Sequence, residues 1–169
     1  MNEEGMEFPF MKELLRILER DARLTPRQLA IMLNQPETVV RAAIEKAEKQ
    51  GFILRYKTVV NWEKVGEESV AALIEIKVSP QRDVGFDAIA DRICRFPEAR
   101  SMYLVSGTYD LAVQAVGHNM KDIAAFVTEK IAPLEGVQGT VTHFLLKRFK
   151  EDWDILDEKQ EIDRLAITP

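Results

Sequence analysis

Covalent and metal cross-links have little to work with in this chain, which holds one cysteine, Cys94, and two histidines, His118 and His143, standing 25 positions apart. A lone thiol excludes an internal disulfide, and with no second Cys or His at ligand spacing no metal site is expected. Cys94 beside an apolar helix face is expected to be a small buried residue. No apolar run approaches the roughly 18 residues of a membrane span, so no membrane partner is expected. The first seven residues are acidic where a secretory leader is basic and then apolar, which makes a reducing cytoplasm the expected compartment. Glycines are few, eight in 169 residues, and none falls into a GxGxxG or Walker pattern. A Ser-His-Asp elbow is also missing, so neither a cofactor nor a catalytic residue is expected.

Net charge is −5, which by itself disfavours nucleic acid, but the charges are unevenly placed. Residues 12–64 carry eleven Lys/Arg against seven Asp/Glu, or +4, whereas residues 67–169 carry twelve against eighteen, or −6. The front of the chain is thus the part suited to a polyanion.

That front part has helical punctuation. Leu14, Leu15 and Leu18 recur at helical spacing and predict a first helix over 10–21. Thr25-Pro26-Arg27-Gln28 places an N-cap, a first-turn proline and a capping-box partner in order, which predicts a second helix over 26–33. Asn34-Gln35 breaks it, Pro36 restarts the chain, and a third helix is predicted from 37 to 50 with Gly51 as its left-handed cap. Val40, Ala43, Ile44 and Ala47 form its inward stripe. Two short helices joined by a tight turn, the second polar on one side, is the arrangement that lays a recognition helix in the major groove of double-stranded DNA. Residues 52–61 (FILRYKTVVN) read as two short following strands.

Further on, the hydrophobic period changes. Residues 70–78 alternate as a strand, 84–95 repeat apolar residues at i, i+3, i+4 and i+7, 102–105 and 111–116 form a hairpin, 120–131 a second helix and 137–146 a last strand. This βαββαβ order is ferredoxin-like, with both helices on one sheet face and the other face bare. A bare face invites a second subunit, and each block is small enough to gain from oligomerisation. The chain therefore reads as α+β, with a helix-turn-helix DNA-binding domain over 8–62, a linker over 63–69, a ferredoxin-like domain over 70–150 and an acidic tail over 151–169. The tail holds seven acidic and two basic residues, and Leu165-Ala166-Ile167 is either a terminal strand or part of a disordered end.

Four segments in this order, LLRIL at 14–18, GFILRY at 51–56, NWEK at 61–64 and YLVSGTYD at 103–110, closely resemble the Lrp/AsnC family of feast/famine transcriptional regulators, from about residue 10 to residue 150. The resemblance implies a winged helix-turn-helix followed by a RAM domain (regulator of amino-acid metabolism), which dimerises through its sheets, assembles to tetramers or octamers and often binds an amino acid between dimers. The chain departs from the family in carrying Ala42 and Ala43 where members commonly carry Arg or Lys, and in its long acidic tail.

For DNA, Thr38, Arg41, Ala42, Glu45, Lys46 and Lys49 lie on the outward face of the third helix. Arg41 is the best candidate for a base contact, bidentate to guanine, with a plain i,i+4 pair to Glu45 as the alternative. Lys46, Lys49, Arg55 and Lys57 suit phosphates, where charge and reach suffice. For an effector, Gly107 and Asp110 taken alone are ordinary hairpin chemistry. The resemblance places their hairpin at the effector pocket, which makes Gly107, Tyr109 and Asp110 candidates, with Tyr103 and Leu104 on the apolar side and Thr140 and Thr142 on the last strand. The competing readings are an oligomeric scaffold that has lost DNA binding, motivated by the thin basic face, and an enzyme similar to the siroheme decarboxylases, in which His118 and His143 would carry the chemistry.

Overall fold

Helix α1 (Met11–Arg20) is the first element of the computed structural model, which describes residues 8–67, 69–79 and 85–156. Met11, Leu14 and Leu18 turn to one side and are buried. Helix α2 (Pro26–Met32) begins at the expected capping box, in which Thr25 Oγ1 accepts from the Gln28 amide at 3.3 Å while Gln28 Oε1 accepts from the Thr25 amide at 2.9 Å. Asn34, at φ 49°, makes the turn into α3 (Glu37–Lys49), whose N-cap is Pro36. Past Gln50, Gly51 adopts φ 72°, a left-handed conformation that costs glycine little. Leu29, Val40, Ala43 and Ala47 join α1's apolar side to close the core of a first compact unit, Met1–Thr58.

The two strands expected over 52–61 do not form. The amides of Phe52 and Ile53 both return to the Ala47 carbonyl, at 2.9 and 3.2 Å, and Tyr56 Oη donates to Glu48 Oε1 at 2.8 Å. Closing off the helix end thus holds the start of the segment, and no Asn-Gly type of dipeptide between 52 and 61 offers a tight hairpin turn.

The second unit, Val59–Pro169, is the ferredoxin-like one. Across the expected boundary between residue 62 and the linker, Trp62–Val65 forms a short helix, α4, capped by Asn61 Oδ1 accepting from the Lys64 amide at 3.2 Å. Strands β1 (Val70–Val78), β2 (Ala99–Leu104), β3 (Leu111–Gly117) and β4 (Val137–Leu145) make one antiparallel sheet in the order β2-β3-β1-β4. Helix α5 (Gly85–Cys94) and α6 (Met120–Ala125, continuing as a π-helix over Phe126–Ile131) carry the apolar residues that cover it. Ala72, Ile74, Ile76 and Val78 of β1 pack with Ile89, Ile93, Ile123 and Phe126. Phe126 meets Phe96 edge-on with ring centroids 5.8 Å apart. Thr128 Oγ1 donates to the Ala124 carbonyl at 2.9 Å where the helix changes to π geometry, a side-chain bond of the kind that competes with the regular ladder.

Two details depart from expectation. Cys94 is exposed, because it lies one residue past Ile93 and has turned off the buried stripe; its sulfur is 3.7 Å from that of Met102. The start of the acidic tail is folded, with β5 (Lys150–Glu151) and β6 (Asp154–Ile155) forming a two-residue hairpin. The candidate strand at 165–167 lies outside the described residues. Among the described residues no helix is long and apolar enough to cross a membrane.

Phe126→Ala is expected to cost about 3–5 kcal/mol, because a fully buried ring leaves a cavity that its neighbours only partly fill. Thr25→Ala, which removes one side of the capping box, should cost about 1 kcal/mol. Urea unfolding of the full chain with each variant checks both values, the first in the second unit and the other in the first.

Candidate functional site

At 100° per residue, Thr38, Arg41, Ala42, Glu45 and Lys49 fall within roughly 100° of arc on α3, opposite Val40, Ala43 and Ala47. All five are exposed, and Lys46 is half-buried with its ammonium 5.9 Å from the centre of the Phe8 ring. Ala43, with 0% exposure, is a core residue and no part of the outward face, on which only Ala42 of the two alanines lies. Arg41 does pair along the helix, but with Glu37 rather than Glu45, at 2.6 Å. Both partners are solvent-exposed, so the pair is worth only about 0.3–0.5 kcal/mol, against about 1–3 kcal/mol for a bidentate guanine contact. The pair therefore does not keep Arg41 from a base.

Arg55 and Lys57 follow α3 and line a cleft of about 400 Å³ with Leu15, Leu18, Phe52 and Ile53. In the same segment the Tyr56 hydroxyl is pushed up to about 12, first by burial and then by its hydrogen bond to the Glu48 carboxylate, and so stays a donor at all ordinary pH.

In the second unit the register decides which candidates share a face. Residues directly opposite on paired strands point the same way. Leu104, Leu111, Ile76 and Thr140 form one row across the four strands, and Met102, Val113, Ile74 and Thr142 the next, both on the side where α5 and α6 pack. Tyr103 belongs to the other face, in a row with Ala112, Glu75 and Val141. Leu104 and Thr140 are three strand spacings apart, roughly 14 Å. That is beyond the reach of one α-amino acid.

The β2–β3 turn is held at its base by Val105 N–H donating to the Asp110 carbonyl at 2.9 Å and Asp110 N–H donating to the Ile76 carbonyl at 3.1 Å. Between these, the amides of residues 106–109 donate to no backbone or side-chain acceptor found among the described residues. Gly107 sits at φ 155°, a conformation that L side chains rarely adopt. Asp110 is not a free carboxylate: Oδ2 accepts from the Val78 amide at 2.9 Å and Oδ1 from Lys77 Nζ at 3.2 Å. These contacts, the amide first and the ammonium second, lower its pKa below the ordinary aspartate value. Sequence reading missed Lys77 because its partner lies 33 positions away; only the pairing of β1 with β3 brings them together.

On the open sheet face His143 Nε2 lies 3.0 Å from Glu75 Oε2, among Leu73 and Val141. His118 stands apart from this pair, its amide donating to Asp122 Oδ2 at 3.0 Å. Among the described residues no group of three or more His, Cys, Asp and Glu is placed to hold a metal ion.

An outward polar helix in a helix-turn-helix on one unit, and a helix-backed antiparallel sheet with one open face on the other, define a DNA-binding regulator that carries a separate ligand-binding unit. Comparison with known proteins gives the family. Residues 71–155 match the Lrp/AsnC ligand binding domain, and residues 9–53 match a winged helix-turn-helix DNA-binding model. The second match ends at Ile53, two residues into the stretch in which the expected strands are missing. The chain is 41% identical over 158 residues, 93% of its length and 95% of the relative's, to the HTH-type transcriptional regulator YugG of Bacillus subtilis, itself uncharacterized. To the HTH-type transcriptional regulator FL11 of Pyrococcus furiosus it is 27% identical over 144 residues, 85% of this chain and 92% of that one. Its fold matches that of the transcriptional regulator NMB0573 of Neisseria meningitidis, solved as an L-Met complex, with TM-score 0.68, 22% identity and coverage of 85% and 92%. It also matches the leucine response regulatory protein LrpA of Mycobacterium tuberculosis, with TM-score 0.71, 21% identity and coverage of 89% and 99%. The chain belongs to the Lrp/AsnC family of DNA-binding transcriptional regulators.

Because the Asp110 pKa is lowered in the folded state, the unfolded chain takes up the proton first on acidification. The stability that Asp110 adds is complete above the ordinary aspartate range near pH 4 and is lost as pH falls through the lowered value. The protection factor of the Val78 amide, its intrinsic exchange rate at each pH divided by the observed rate, should fall over that acid window in the wild type, whereas in Asp110→Asn it should be low already at pH 6 and change little on acidification.

Proposed function

We propose that the chain is a homodimer, assembling further to a tetramer or octamer, that binds double-stranded DNA through α3 and the segment after it and is tuned by an amino acid or a similar small molecule. Arg41 contacts a base edge together with its neighbours Thr38, Ala42 and Glu45, while Lys46, Lys49, Arg55 and Lys57 contact phosphates. The effector site is built on the turn at Gly107, Tyr109 and Asp110, with Tyr103 and Leu104 beside it. Thr140 and Thr142 meet the ligand from a second subunit, since one subunit's Leu104 and Thr140 are too far apart for a single amino acid. The regulator works in the cytoplasm without a catalytic step.

The observation that carries this reading is the run of four amides, 106–109, with no acceptor among the described residues, on a turn whose residues 106–108 are exposed. Successive open N–H groups hold a carboxylate. The L-Met complex of NMB0573 supports an amino acid as the occupant. Dimerisation on the open sheet face is supported by its Leu73, Val141 and Leu145 side chains, which among the described residues lie outside the helix-backed core. For DNA, exposed side chains of both functional kinds on α3 support the division into base and phosphate contacts.

Binding to DNA should weaken steeply with salt. Arg41→Ala should cost about 1–3 kcal/mol on a specific site and little elsewhere, while Lys49→Ala or Arg55→Ala should weaken all sequences alike. Gel shifts on the DNA upstream of the chain's own gene, against a scrambled duplex, measure this, and a neutral Arg41→Ala on every sequence would make Arg41 a solvated helix charge.

Light scattering at micromolar concentration should show at least a dimer of the 19.3 kDa chain, and its size should respond to an amino acid mixture. Asp110→Ala should abolish that response and the effector's influence on DNA binding, leaving the dimer folded. A variant that unfolds would assign Asp110 to the hairpin alone, and one that responds like wild type would remove it from the site.

A further inference from the structure

Long cations are scarce on the N-terminal half of α3, the half that reaches base edges in helix-turn-helix proteins. Its exposed side chains are Thr38, Arg41 and Ala42, with Glu45 one turn further on, and the one cation among them, Arg41, is paired with Glu37 at 2.6 Å. Ala42 has no hydrogen-bonding group at all. Its short side chain lets the helix approach the groove floor, and its methyl offers only van der Waals contact once there. Thr38, one turn earlier on the same stripe, adds a second methyl. On the edges that base pairs present in the major groove of unmodified DNA, the C5-methyl of thymine is the apolar group that such side chains match. Glu45, central on the stripe, repels phosphate and accepts only from exocyclic amino groups, so it adds no nonspecific grip.

We propose that α3 reads thymine through its methyl group, with Ala42 and Thr38 as specificity-determining residues. This rests on the DNA-reading role given to α3 above and goes beyond it by naming the base and the contact. Affinity for specific DNA comes in part from burying methyl against methyl, which salt does not screen.

The test removes the methyl and nothing else from the base edge. The region upstream of the chain's own gene is amplified with dTTP or with dUTP, giving duplexes of equal sequence and hydrogen-bonding pattern, and full-length protein is titrated against both at fixed salt. Amplified DNA carries no 5-methylcytosine, so any dependence on methyl groups arises from thymine. Each thymine methyl packed against the helix should be worth roughly fourfold in affinity, so the uracil duplex should bind several-fold more weakly. In Ala42→Gly and in Thr38→Ser, each of which deletes one protein methyl, the preference for thymine over uracil should shrink. Comparing two duplexes within one variant cancels any change in its folding, and Thr38→Ser keeps the hydroxyl should glycine unsettle the helix. Equal, salt-sensitive affinity of the wild type for both duplexes would overturn thymine reading and leave the DNA-binding role standing. An undiminished preference in both variants would overturn it as well, assigning the effect to duplex shape. Failure to bind either duplex would overturn both readings.

Discussion

The second unit is organised by the two-sided antiparallel pairing of β1, which bonds to β3 along one edge and to β4 along the other. Because side chains alternate along a strand, this pairing sends Ala72, Ile74, Ile76 and Val78 under the helices and leaves Leu73, Glu75 and Lys77 on the open face. A slip of one residue would bury Glu75 and Lys77 instead, so the register is fixed by the cost of burying charge. The same register carries the end of β1 to the β2–β3 turn, where Val78 and Lys77 grip Asp110. What holds the core and what holds the β2–β3 turn in place are therefore one constraint.

The acidic balance of the chain does not conflict with its DNA-binding role. Steering by net charge is a long-range effect, damped beyond about 8–10 Å at physiological salt, whereas base contacts are decided within the groove. The acidic residues of the second unit serve the fold where their partners are resolved: Glu98 is held by Lys130 at 2.5 Å and Glu151 by Arg100 at 3.0 Å. On α3 the local balance matters instead, and there the exposed pair between Arg41 and Glu37 is worth only about 0.3–0.5 kcal/mol.

Much of this was legible in the sequence because the signals were local or periodic. The capping box at Thr25 and Gln28, the Gly51 cap, the alternation of β1 and the ferredoxin-like order all appear as read, since each depends on residues within a few positions of one another. The failures are non-local or conformationally unusual. Strands over 52–61 were predicted from composition, but their first residues are spent on the Ala47 carbonyl. The β5–β6 hairpin was missed because its turn places Asp152 and Trp153 at φ 43° and 71°, where Asn-Gly is the usual signature and a tryptophan is strained. The alternative of an Arg41 pair names Glu45 where the partner is Glu37, because the two are equivalent by spacing and only the side-chain conformation chooses. The Lys77–Asp110 contact left no sequence signal at all.

The geometry of the proposed effector site also bears on how a ligand would act. Open amides at 106–109 lie beyond one end of the row that runs from Leu104 through Leu111 and Ile76 to Thr140, so groups at the two ends of that row belong to different ligand contacts within one subunit. A small zwitterion that engages both kinds of group must draw them from two copies, and its binding energy then adds to the free energy of association. Ligand occupancy and assembly become a single linked equilibrium, in which the shift in oligomer size is bounded by the ligand's differential affinity for the assembled state. Asp110 enters that linkage indirectly. Its carboxylate is already occupied by Val78 and Lys77, so on this reading it shapes the turn that meets the ligand, and an incoming ammonium has to compete with Lys77 for it.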